Sequence, residues 1–185
     1  MPSLARTIDP EPRSAAEFLH AYADVEGRFE YVDGRVRPMM TEVTWAHYKV
    51  ANRFIQQLAP LLQRGYVVGG ADFGVQIGED VRFPDILVQP DDLEPTARRT
   101  IAPVLVGEVL SKSTSHIDFG AKVQQHTSLA TLLHYVVLSQ DEPAAWLWSR
   151  DVAGAFGPPE IVTGSEAILA LNGFDLSVPL SVVYR

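Results

Sequence analysis

A chain of 185 residues, 46% apolar and 21% charged, has the composition of a folded globular protein, which excludes global disorder, and its length suits one core better than two. No apolar run approaches the ~18 residues that span a bilayer, and the absence of cysteine excludes disulfides, thiolate zinc sites and cysteine nucleophiles. A net charge of −8 argues against a surface that grips nucleic acid everywhere, yet it permits a local basic groove and suits carboxylates gathered around a cation.

Residues 1–13 carry three prolines and no periodicity, and read as a loose leader ahead of a single domain over 14–185. The leader has no apolar h-region, so no secretory signal is expected and the cytoplasm is the expected compartment. "SAAEFLHAYAD" (14–24) has apolar residues at helical spacing behind a Ser14-x-x-Glu17 capping box, which predicts a short helix. In "RFEYVDGRVRPMM" (28–40), Asp33-Gly34 between two strand-like runs predicts a hairpin. "TEVTWAHYKVANRFIQQLAPLLQRG" (41–65) puts Val43, Ala46, Val50, Phe54, Leu58 and Leu61 on one stripe. It predicts a long amphipathic helix, bent at Pro60 and ended by Gly65.

The period then changes. "YVVGG", "FGVQIG", "RFPDILVQP", "APVLVGEVL", "LHYVVLSQ" and "AAWLWSR" are short β-rich segments between glycine, proline or charged turns. "STSHIDFGAKVQQHTSL" (113–129) is a second helix candidate, and the apolar strands flanking it predict a β-α-β unit with central strands. The tail beyond 150 reads as edge strands and turns. The expected architecture is an α/β domain with a mixed β-sheet flanked by helices.

Two of these strands hold an acid among aliphatic residues. Alternation puts Phe83, Asp85 and Leu87 on one face of "FPDILV", and Val104, Val106, Glu108 and Leu110 on one face of the next strand. A buried ionised carboxylate costs several kcal/mol unless paired or metal-bound, and two that meet repel each other. A divalent cation between them, Mg²⁺ or Mn²⁺, offsets both costs through hard oxygen ligands. The ordinary alternative for Asp85 is a strand-end position or a salt bridge to an arginine such as Arg82. The chain has three lysines, Lys49, Lys112 and Lys122. Lys122 falls in the helix of the β-α-β unit, where it either packs back toward the sheet or pairs with Asp118 at i, i+4. His47 is a further candidate at the polar border of its helix.

The ordered series "FEYVDGRV", "FPDILV", "VGEVLSKSTSHIDFGAKVQQH" and "HYVVLSQ" resembles the Uma-type restriction endonucleases of the PD-(D/E)XK superfamily, over roughly residues 14–150. The resemblance implies a restriction-endonuclease-like core and metal-dependent phosphodiester cleavage. It matches Asp85 and Glu108 to the metal-binding acids, with the Val109 carbonyl as a further ligand, and Glu30 to an N-terminal acid that completes the cluster. It also implies a nucleic-acid partner (DNA ahead of RNA), no membrane partner, and a homodimer. The chain departs from the standard pattern, which puts lysine at position 110. Here that residue is Leu110, and the family's lysine corresponds to Lys122 in the helix. Lys112 stands where the family usually has proline. These departures leave a second reading open: a catalytically silent nuclease fold that serves as a binding or dimerisation module.

Overall fold

The computed structural model describes residues 11–39, 42–110 and 119–185. Lys112, Asp118 and the Ser/Thr cluster expected to cap the second helix lie outside the described residues, as does most of the leader.

Helix α1 (Ala15–Ala21) begins at Ser14, whose hydroxyl accepts the Glu17 N–H at 3.2 Å. The return bond of the capping box is shifted by one residue, because the Glu17 carboxylate accepts from the Arg13 N–H. Strands β1 (Phe29–Val32) and β2 (Arg35–Pro38) form the expected hairpin. Its turn puts Asp33 and Gly34 at φ of 54° and 72°, the left-handed pair that a two-residue turn of this twist needs. Helix α2 (Trp45–Gln57) is capped by Thr44, whose side chain accepts the His47 N–H. The expected single bent helix is instead two elements. Pro60 lacks the N–H that would continue the α-helical ladder, and residues Ala59–Arg64 tighten into a 3₁₀ helix that ends on left-handed Gly65. The apolar stripe is buried from Val50 through Leu61, while Val43 is exposed.

The strands then divide between sheets. β3 (Tyr66–Gly69), β6 (Ile86–Pro90), β8 (Leu105–Leu110), β9 (His134–Ser139), β10 (Ala144–Ser149) and β11 (Glu160–Thr163) form a mixed six-stranded sheet in the order β11-β10-β9-β8-β6-β3. β4 (Gly74–Ile77), β5 (Asp80–Arg82) and β7 (Arg99–Thr100) join the hairpin in a five-stranded sheet of order β2-β1-β5-β4-β7. The segment read as one strand through Asp85 is therefore two strands in two sheets, and Phe83-Pro84-Asp85 makes the crossing. Phe83 accordingly packs with Phe18, Tyr31 and Val81 under the smaller sheet, not beside Leu87 as alternation alone would have it. β8 and β9 are parallel and enclose α3 (Ala121–Thr127), as the β-α-β pattern predicts.

α2 and the 3₁₀ helix cover one face of the large sheet, burying Phe54, Leu58 and Leu61 against Ile86, Val88, Leu105 and Val136. The tail joins this core instead of only edging it. β12 (Ile168–Leu171) and β13 (Leu176–Pro179) form a separate hairpin, and α4 (Leu180–Tyr184) buries Leu180 and Val183 completely. On the other face Leu87, Val106, Leu110, Tyr135, Val137 and Trp148 pack together, with Val123 of α3 against them.

Candidate functional site

Asp85 stands where the chain leaves the small sheet and enters β6. The crossing is pinned from below: Ala71 N–H donates to the Pro84 carbonyl at 2.7 Å. Gly70 passes so close that a Cβ there would lie 1.9 Å from the Asp85 carbonyl oxygen. β6 runs antiparallel to β8 with Ile86 opposite Gly107. One step further along that register, Asp85 faces Glu108, and cross-strand partners share a face. The Asp85 Oδ2 accepts the Val109 N–H at 2.9 Å, and Oδ1 lies 3.2 Å from His47 Nε2. His47 reaches it from the first turn of α2, whose cap Thr44 also donates to Gln140 just beyond β9. The salt bridge to Arg82 that a lone strand acid would favour is not formed; the imidazole takes that place.

Glu108 lies in β8, where all six side chains are buried. Its side chain is 8% exposed, and its Oε1 sits 3.2 Å from Lys122 Nζ. Lys122 belongs to the first turn of α3, and the helix returns over the sheet so that Val123 and His126 also face inward. The structure thus brings Asp85, Glu108, the Val109 amide, Lys122 and His47 to one end of β6 and β8.

Glu30 is engaged differently. From β1 its carboxylate accepts from Arg82 at 3.2 Å and from the Phe83 N–H at 3.3 Å. Arg82 is itself buried and donates through Nε to Gln125 of α3 at 2.7 Å, while Gln125 donates to Asp80 at 2.6 Å. One buried guanidinium therefore links the strand leading into Asp85 with the helix that carries Lys122. Sequence reasoning passed over Arg82 and Gln125 in these roles. The available signal was an arginine at the end of an apolar strand, a position that demands a partner.

His126, one turn after Lys122, is fully buried and stacks on Tyr135 with ring centroids 5.1 Å apart. Among the described residues neither of its ring nitrogens has a hydrogen-bond partner. Burial, reinforced by the positive charges of Arg82 and Lys122, pushes its pKa down to about 3. It is a neutral packing residue on the inner face of α3.

The site's donor chemistry suits a hard divalent cation, because its two converging acids offer carboxylate oxygens. Among the described residues no set of three or more acid or imidazole side chains is arranged to hold a metal. Any ion here would rest on two carboxylates, backbone and water.

The family model described as "Putative restriction endonuclease", Uma2, matches residues 15–182. This chain belongs to the Uma2 family. The Uma2 chain also shares its fold with a solved protein from Anabaena variabilis, titled a putative nuclease belonging to DUF820. The two superpose with a TM-score of 0.75 at 17% identity, covering 94% of this chain and 98% of that one. None of the curated proteins compared with this Uma2 chain matches it. Among its described residues no helix is long and apolar enough to cross a membrane.

Proposed function

We propose that this Uma2 chain is a metal-dependent nuclease that hydrolyses phosphodiester bonds, with Asp85 and Glu108 as metal ligands and Lys122 as the cation beside them. The observation that carries the reading is the lysine ammonium 3.2 Å from Glu108, at the strand end where Asp85 accepts the Val109 N–H. Mg²⁺ commonly takes one or two carboxylates and keeps several waters, so a two-acid site with the Val109 carbonyl suits Mg²⁺ or Mn²⁺. When bound, such an ion polarises a phosphoryl oxygen and lowers the pKa of a coordinated water.

The chain's own residues divide the remaining work. The Val109 N–H and His47 fix the orientation of the Asp85 carboxylate, so the ligand is set before substrate arrives. Lys122 neutralises Glu108 at rest, and its ammonium stabilises negative charge that grows on a phosphate in the transition state. Glu30 is a positioning residue, acting on Asp85 through Arg82 and the Phe83 amide. The substrate is nucleic acid, DNA ahead of RNA, and the acting species a homodimer. Of the apolar stretches that could meet a second copy, 144–149 is largely buried within the protomer, whereas 176–184 buries Val178, Leu180 and Val183 and exposes Ser177 and Ser181.

The test is incubation with Mg²⁺ or Mn²⁺ and a panel of single- and double-stranded DNA and RNA. Cleavage should fall by ~10²-fold or more in Asp85→Ala and in Lys122→Ala. Calorimetry should show Mn²⁺ binding lost in Asp85→Ala and kept in Lys122→Ala. Equal Mn²⁺ affinity in wild type and Asp85→Ala would overturn the ligand assignment. A folded protein that cleaves nothing in the panel would overturn the activity. Light scattering at one chain mass would overturn the dimer.

A further inference from the structure

The small sheet and α1 enclose a cavity of about 390 Å³ on the far side of the Phe83-Pro84-Asp85 crossing. Phe18, Tyr22, Phe29 and Phe83 supply an aromatic wall, and Arg28 and Arg98 stand among its lining residues. Three of these rings are in contact: Tyr22 packs on Phe18 at 5.2 Å and edge-on to Phe29 at 5.0 Å between ring centroids. The arginines are anchored by backbone carbonyls, Arg28 by Ala71 and Arg98 by Ala23. A guanidinium carries five N–H donors, so these anchors orient the groups and leave donors for a ligand. Among the described residues the only acid paired with them is Asp72, 3.8 Å from Arg28 and 96% exposed, which water screens.

We propose that this cavity binds an unstacked nucleotide of the substrate strand, with the base against the aromatic wall and a phosphate on Arg28 and Arg98. The inference rests on the nuclease reading above. A flat π-face with a fixed cation beside it is how single-stranded nucleic acid is held without regard to sequence. Charge complementarity favours this occupant. In a chain of net charge −8, two arginines converge on one aromatic cavity, and a polyanion with aromatic bases satisfies both features. Proximity to the acid site favours it too. Ala71 and Asp72 of the cavity follow Gly70 in the turn that packs on Pro84 and Asp85, so the cavity adjoins the backbone segment that carries the acid.

The experiment uses a single-stranded DNA oligonucleotide with one 2-aminopurine, read by fluorescence and by anisotropy of an end label, in EDTA so that binding is separated from cleavage. Wild type should quench the 2-aminopurine. Arg98→Ala and Tyr22→Leu, each checked for an unchanged melting curve, should lose the quench and bind roughly 5-fold or more weakly. Quenching and affinity unchanged in both variants would overturn the cavity as the site, whether or not the protein cleaves DNA. Quenching that depends on Arg98 and Tyr22 in a protein that never cleaves would support the cavity while the nuclease reading fails. No binding by wild type would overturn the inference outright.

Discussion

His126 shows how one side chain couples stability to acidity. Its pKa is about 3 in the folded chain and about 6.5 once exposed, so between those values the unfolded state binds the extra proton. Stability therefore rises with pH across that window and falls as the solution is acidified, by up to about 1.4 kcal/mol per pH unit. His134 acts in the same direction, because burial lowers its pKa to about 4. We expect the urea midpoint to drop steadily from pH 7 to pH 4. His126→Phe keeps a ring against Tyr135 and removes two nitrogens that have no hydrogen-bond partner among the described residues, so it should flatten that slope and raise stability at pH 5. An identical slope in the variant would show that His126 does not carry the effect.

Among the elements, α3 is fastened to the small sheet by Arg82, Gln125 and Glu30. Removing one partner strands a buried charge, so Arg82→Met alone should cost about 3–5 kcal/mol. Arg82→Met with Glu30→Gln should cost less than the sum of the two single changes. A double-mutant cycle by urea denaturation measures the coupling, and additive losses would mean the pair is not coupled. This relay also marks where sequence reading stops. The α1 cap, the Asp33-Gly34 hairpin and the β8-α3-β9 unit were legible because each is written in neighbouring residues. The pairing of Arg82 with Gln125 joins positions 43 apart, and nothing local announces it. The split of residues 80–90 between two sheets escaped the pattern for a related reason: β5 and β6 are both apolar, and Pro84 reads as an edge position as readily as a crossing. α4 was hidden by Val182-Val183, whose branched side chains favour strands, until packing against α2 decided otherwise. For the candidate site, Asp85 and Glu108 stood out because each interrupts an apolar strand, while Lys122 was reached as one of three lysines, through the β-α-β crossover and the family resemblance. His47 as the partner of Asp85 required the tertiary fold.

For the molecule as a whole, the two main sheets differ in how well they are covered. Helices pack on both faces of β8 and β9, and these strands pair with each other over six residues. The small sheet ends in an exposed β2 and a two-residue β7. Buried central strands open only with global unfolding, whereas edges open locally. Hydrogen exchange read by mass spectrometry should find residues 105–110 and 134–139 slowest and the 29–38 hairpin faster. Equal protection of the hairpin would mean that the sheets unfold as one unit.

Leu110 lies on the same face of β8 as Glu108, ~7 Å further along the strand, and packs in the cluster that α3 covers. Lys122 comes to that acid from the helix above. Two positions twelve residues apart in the chain therefore look onto one carboxylate. A lineage can pass a lysine from the strand to the helix through an ancestor that carries both, and no generation need lack the positive charge. On the role proposed for Lys122, relatives compared column by column would read as lacking at position 110 a charge that the helix supplies from position 122.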